Sequence, residues 1–405
     1  MVLDNVGHGI GVDTTKHSIQ KSLYHFRTSA QRSVILETMF QSVCAIMSMV
    51  AIKKNLLTLL DDYKDFNCSP IRTQPVPTAV EFCKQVSKGY PCVYRAYEKS
   101  TDKSGKQQLW TDPSLLEHPA FSWTRQDLLN LVEDEVEVAL TPNGRADDLH
   151  HVDGKDEAVF LSPATVNMRI SDLLGKLSPR RGPSSAASTF PDSDPVYYLQ
   201  SQNSNLTTTS LGPILRHLPK NFPFARPVLG EPEATNLWIG DERSVTSTHR
   251  DPYENLYLVL KGSKTFTLYP PVEEITLPTQ DVLTGNFAFD ASTGVFSTVL
   301  NEDQPRIPWV SVDPLLPREK LIEQHPLYER ASPRTVTVHE GEMLYLPSGW
   351  YHHVQQKCGT WDEDGSPAPC IAVNYWFDME YEGEKYVTRQ LIGRLVREMK
   401  GDAKD

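Results

Sequence analysis

His249-Arg-Asp251 and the histidine pair His352-His353 are the residues of this 405-residue chain best suited to chemistry. Side chains at i and i+2 of a β-strand share a face, so His249 and Asp251 can reach one metal ion from a single strand. A third ligand must come from elsewhere. Two imidazoles and one carboxylate on one side of an octahedral ion leave positions open, the arrangement that suits Fe(II) in oxygen-activating chemistry. An H-x-D tripeptide alone would not carry that reading. Lys264 adds to it. A buried lysine without a protein partner is costly, and is more easily explained where an anionic ligand supplies the missing charge.

The elements that must position these groups read as strands. Val245-Thr-Ser-Thr248 leads into His249, Asn255-Leu-Tyr-Leu-Val-Leu260 alternates with period two, and Lys261-Gly-Ser263 turns the chain into Lys264-Thr-Phe-Thr-Leu-Tyr269. This pattern predicts a hairpin that lays Lys264 beside the strand of His249. Downstream, Thr335-Val-Thr-Val338 and Met343-Leu-Tyr-Leu346 read as strands joined by a turn, Pro347-Ser-Gly349 as a break, and Trp350 to Gln355 as the next strand. Only one of His352 and His353 can face inward. Alternation does not choose between them.

Thr246, His249, Asp251, Asn255, Lys264, the run Gly341-Glu-Met-Leu-Tyr-Leu-Pro347, Trp350 to Val354 and Ala372-Val-Asn374-Tyr-Trp-Phe377 together resemble a JmjC domain. Within that family the chain is most similar to the small JmjC-only hydroxylases. That closer likeness rests on Pro77 to Phe82, Glu135 to Asp147, Tyr198 to Leu206, Pro308 to Leu315 and Phe377 to Tyr381, and spans residues 55–398. The resemblance implies a mainly β fold with flanking helices around a double-stranded β-helix, the jelly-roll core of the cupin-like proteins. It implies that His249, Asp251 and His352 are the catalytic metal ligands, the first histidine of the pair being the one that binds. It also implies that Tyr198, Thr246, Asn255, Lys264 and Asn374 contact 2-oxoglutarate, with Lys264 and Thr246 at its distal carboxylate.

The activity so implied is hydroxylation of a protein lysyl side chain at C-3 with Fe(II), 2-oxoglutarate and O2, releasing succinate and CO2. The alternatives are a JmjC demethylase or peptidase acting on histone tails, and a non-catalytic cupin-like binding protein. No chromatin-reader module is visible, and no H-E-x-x-H helix supports a peptidase. The presence of all three ligands and the lysine argues against a purely binding role. Asp147, Asp148 and Glu254 are candidates, by neighbourhood only, for reading the ammonium of a target lysine in a protein or peptide substrate. Thr141-Pro-Asn-Gly144 reads as a turn after a strand, and the resemblance implies that it lines the substrate groove.

A formal net charge of −12 and a pI near 5.5 argue against direct nucleic-acid binding and tolerate a cationic substrate. Six cysteines, at 44, 68, 83, 92, 358 and 370, form no C-x-x-C pair. Reduced thiols in cytoplasm or nucleus are the expectation. No signal peptide is apparent. Val34 to Ile52 is apolar but interrupted by Glu37, Gln41, Ser42 and Ser48, so it reads as a packing helix and no membrane association is expected.

Composition divides the chain into a mobile segment 1–32, a helical and mixed region 33–175 packed on the barrel, and a flexible linker 176–195. The barrel follows at 196–378, broken by a polar insert at 356–369. A C-terminal helix and tail, 379–405, place Leu391, Leu395 and Met399 one turn apart. The JmjC hydroxylases that the chain resembles dimerise through such helices, which implies a homodimer.

Overall fold

The computed structural model describes residues 49–95, 97–101, 107–109, 117–177, 194–200 and 204–400. The segment 1–32, most of Val34 to Ile52, and residues 178–193 of the expected linker lie outside the described residues. Residues 49–66 are helical. No helix among the described residues is long and apolar enough to cross a membrane.

Eight strands carry the site: Ala234–Gly240 (β1), Val245–Arg250 (β2), Tyr253–Lys261 (β3), Ser263–Tyr269 (β4), Arg334–His339 (β5), Glu342–Leu346 (β6), Tyr351–Lys357 (β7) and Cys370–Asp378 (β8). One sheet runs β6-β3-β8-β1 and the other β5-β4-β7-β2. Except between β4 and β5, each strand lies in the sheet opposite its predecessor. The chain therefore winds as a double-stranded β-helix, a closed jelly-roll arrangement that protects most strand edges.

The first sheet extends beyond the barrel to nine strands. Arg72–Pro75 and Cys92–Arg95 continue it past β6, while Val196–Leu199, Glu135–Thr141 and Ala164–Arg169 continue it past β1. The sheet that supplies half of the barrel thus reaches back to residue 72, while the eight barrel strands lie within 234–378. The second sheet gains Arg145–Ala146, parallel to β2. The expected polar insert is a short ladder of Gly359–Thr360 with Pro367–Ala368, and Trp361 within it is buried.

Period-two alternation in β3 sorts side chains between two apolar cores. Leu256, Leu258 and Leu260 join a cluster with Phe82, Leu128 and Leu173 from helices Ala79–Lys88, Arg125–Leu131 and Ile170–Leu177. Tyr257 and Val259 turn the other way, into the barrel interior with Phe266, Leu268 and Val354. Fully burying each aliphatic side chain contributes roughly 1.5–3 kcal/mol, so β3 is fixed from both faces.

The expected hairpin of Lys264 does not form. β3 and β4 belong to different sheets, and β4 pairs with β5 and β7. Lys264 is consequently separated from the His249 strand by β7. The corner is Gly262, whose φ of 74° belongs to the left-handed region and whose Cβ, if present, would stand 2.3 Å from the Lys357 carbonyl oxygen. We expect Gly262→Ala to cost about 1–3 kcal/mol. Chemical denaturation would show it as a lower midpoint, and an unchanged midpoint would mean that the corner is not strained.

Among the described residues, 49–62 and 391–400 belong to one compact unit, and those within Tyr63–Gln390 to the other. In the first, Leu56, Leu60 and Val396 are buried. The stripe expected on the C-terminal helix, Glu384–Lys400, is displaced: Leu391 is 55% exposed and the buried positions are Gly393 and Val396. The reason is the 3.6-residue period, which carries Gly393 and Val396 onto one face and places Leu391 on nearly the opposite one. All five described cysteines, Cys358 and Cys370 among them, are free.

Candidate active site

β2 carries an extra residue. Thr246 pairs with Val354 but His249 pairs with His352, three residues on one strand against two on the other. Such a bulge re-aims the strand, so Thr246, Ser247 and His249 all line the same cleft. Asp251 falls one residue past the end of β2, and its backbone carbonyl accepts from the Gly349 amide. The Pro347-Ser-Gly349 turn that delivers His352 is thereby tied to the turn that delivers Asp251.

The structure brings His249, Asp251 and His352 together, with potential ligand atoms all within 4.8 Å of one another. Asp251 Oδ2 lies 3.8 Å from His249 Nε2 and 3.5 Å from His352 Nε2. Each ring is oriented by its other nitrogen: His249 Nδ1 donates to the Ser247 carbonyl at 2.8 Å and His352 Nδ1 to the Trp350 carbonyl at 3.1 Å. A carbonyl can only accept, so Nδ1 carries the proton and each Nε2 presents a lone pair. Burial, with His249 adding to it, pushes His352 down to about 4, which keeps it neutral. Two lone pairs and a carboxylate converging in this way repel unless a cation lies among them, so the donor set fits a divalent metal.

His353 faces the opposite side of β7. It is buried, burial pushes it down to about 4, and its Nε2 is 4.0 Å from Asp313 Oδ1 on the segment that follows strand Ile307–Val310. His352 is the member of the pair beside the other two donors.

From these donors a cleft of about 640 Å³, counting its open mouth, runs inward to Lys264. Lys264 is buried and donates to the Tyr198 hydroxyl at 2.9 Å. Burial raises the pKa of both Tyr198 and Tyr257, which flank the ammonium, so the phenols supply no charge near neutral pH. Among the described residues no carboxylate forms an ion pair with Lys264. An ammonium so placed calls for an anion from outside the chain. Asn255 and Asn374 line the same cleft, linked by a 3.3 Å bond from Asn374 Nδ2 to Asn255 Oδ1. Trp238 Nε1 donates to Asn374 Oδ1 at 2.8 Å and fixes that amide. Phe266 and Val354 form apolar walls.

A cupin-like domain model matches residues 79–383, more than half of the chain. The human bifunctional peptidase and (3S)-lysyl hydroxylase JMJD7 is 37% identical over 264 residues, covering 65% of this chain and 73% of that protein. JmjC domain-containing protein E of Dictyostelium discoideum is 32% identical over 341 residues, 80% of this chain and 88% of that one. The lysine-specific demethylase JMJ32 of Arabidopsis thaliana is 34% identical over 312 residues, 76% of this chain and 81% of that one.

The chain belongs to the cupin-like JmjC family. It is an enzyme of the 2-oxoglutarate-dependent dioxygenase class. Within this JmjC cleft, the three carboxylates singled out in the sequence separate. Glu254 is not at the mouth: it shares the parity of Leu256, points into the helix-covered core, and accepts from Tyr345 Oη at 2.6 Å and Ser348 Oγ at 3.0 Å. Asp148 is held by Arg145 at 3.1 Å and does not line the cleft. Asp147 does line it, as do Gln200, Trp309 and Trp376, which sequence reasoning did not single out. Trp309 lies over His249, centroids 6.5 Å apart and planes 2° from parallel. It comes from the segment between β4 and β5, so neither spacing nor alternation in the barrel strands could reveal it.

Proposed function

We propose that this JmjC enzyme hydroxylates a lysyl side chain of a protein at C-3, with 2-oxoglutarate and O2 consumed and succinate and CO2 released. The observation that carries the reading is the pairing, in one cleft, of three convergent metal donors with a buried ammonium that lacks an anion. Fe(II) held there supplies the capacity to activate O2 and oxidise a C–H bond at the expense of 2-oxoglutarate. His249 Nε2, His352 Nε2 and Asp251 Oδ2 would hold the metal, and the ring hydrogen bonds of the two histidines to backbone carbonyls keep their lone pairs aimed. Lys264, with Tyr198 and Thr246, receives the distal carboxylate of 2-oxoglutarate, whose charge compensates the ammonium. Asn255 and Asn374 contact the bound cosubstrate, and Phe266 and Val354 exclude water around it.

The lysyl assignment is supported by two relatives whose names specify a lysine side chain, one as hydroxylase and one as demethylase, and by Asp147, a carboxylate lining the cleft with no ion pair among the described residues. Intact-mass analysis of candidate lysyl peptides incubated with enzyme, Fe(II), ascorbate and 2-oxoglutarate tests the reaction. A gain of one oxygen on an unmodified lysine is expected. Loss of a methyl group from methyl-lysine, or peptide cleavage, without oxygen addition would overturn lysyl hydroxylation.

A further inference from the structure

Asp147 is one of two non-glycine residues with positive φ among the described residues, at 52°. Asp and Asn tolerate this region better than most side chains, but it still selects against an ordinary loop residue. The position is held from two directions. Ala146 pairs with Thr246 of β2, and Ser247 Oγ donates to the Asp147 backbone carbonyl at 2.6 Å, so Asp147 is fixed alongside the residue two before His249.

Its side chain is hydrogen-bonded but not ion-paired among the described residues. Gln200 Nε2 donates to Oδ2 at 3.2 Å, yet no described residue makes a salt bridge to it. The neighbouring guanidinium, Arg145, is committed to Asp148 at 3.1 Å and Asp313 at 2.7 Å. Burial raises the pKa of Asp147 by more than His249 and the hydrogen bonds from Gln200 and Ser162 lower it. Lys264 lines the same cleft, where its own missing partner is an anion. The cleft thus offers a cation for the cosubstrate and an anion for something else.

We propose that Asp147 is the specificity-determining residue of this cleft, receiving the primary ammonium of the substrate side chain and so selecting unmethylated, unacetylated lysine. This deepens the lysyl reading above and rests on it for the reaction, though not for the charge. A primary ammonium presents three N–H donors to the carboxylate, a trimethylammonium presents none, and an acetylated amine has lost its charge.

The test is binding, not turnover. Enzyme loaded with Mn(II) and 2-oxoglutarate without O2 is titrated with glycine–serine peptides carrying one central lysine, norleucine, acetyl-lysine or trimethyl-lysine. Paramagnetic broadening of the side-chain protons reports approach to the metal. Wild-type enzyme should bind the lysine peptide about tenfold or more tightly than the other three. Asp147→Asn, which keeps the shape and tolerates the same φ, should remove that preference. A preference that survives the substitution, or wild-type binding that ignores the charge or accepts trimethyl-lysine equally, would overturn the proposal. If the charge preference depends on Asp147 while the mass experiment shows no added oxygen, the hydroxylase reading fails and this one stands.

Discussion

Alanine at His249, Asp251 or His352 should remove metal binding and, with it, succinate formation from 2-oxoglutarate, whereas alanine at His353 should leave both in place. Losing a group that merely orients a ligand typically costs 10–100-fold in affinity, so loss of one of three ligands should cost more than about 100-fold. Stability should move the other way. The three donors converge within 4.8 Å and repel one another without a cation, so truncating one should leave the metal-free protein no less stable. His353 is buried beneath the segment bearing Asp313, and its removal opens a cavity costing roughly 2–4 kcal/mol without touching the metal. Metal content by elemental analysis, succinate release and thermal denaturation of the four variants separate these effects. A His353→Ala protein that loses metal while His352→Ala keeps it would reverse the assignment of the two faces.

The reason that experiment is needed lies in what a strand pattern can carry. Alternation in Asn255 to Leu260 marked β3 correctly as a strand, because two apolar cores need opposite parities. Parity also explains why Asn255 faces the cleft and Glu254 cannot, a distinction available only once a neighbour's direction was known. In the His352-His353 pair both side chains are buried, so hydrophobic patterning held no preference. The bulge that turns Thr246 and His249 to one side adds a residue without a glycine or proline to announce it. Lys261-Gly-Ser263 has the composition of a hairpin turn, yet it serves as a corner between sheets, because the choice depends on which strands are free to pair. Trp309 and Gln200 reach the cleft through contacts distant in sequence, and local periodicity holds no trace of those.

Lys264→Met should raise the stability of the ligand-free protein and nearly abolish 2-oxoglutarate binding, two effects of opposite sign from one substitution. The ammonium is buried against neutral phenols, so the ligand-free protein bears a desolvated charge with no counter-ion. Methionine fills similar space without that cost, and replacing uncompensated buried charge by an apolar side chain is often stabilising by about 1–4 kcal/mol. Binding loses the main counter-charge of the distal carboxylate, which should weaken 2-oxoglutarate by roughly 2–5 kcal/mol, more than tenfold. Metal affinity should change far less, since no donor is touched. Lys264→Arg should also bind poorly, because a planar guanidinium does not occupy the place of a compact ammonium bonded to Tyr198 Oη. Thermal denaturation with and without 2-oxoglutarate reads both signs at once. Wild-type protein should gain about 2.7 kcal/mol from a ligand at one hundred times its dissociation constant, and the methionine variant less than about 1 kcal/mol at the same concentration. A methionine variant that starts less stable than wild type, yet still gains the full increment, would show that the anion is anchored elsewhere in the cleft.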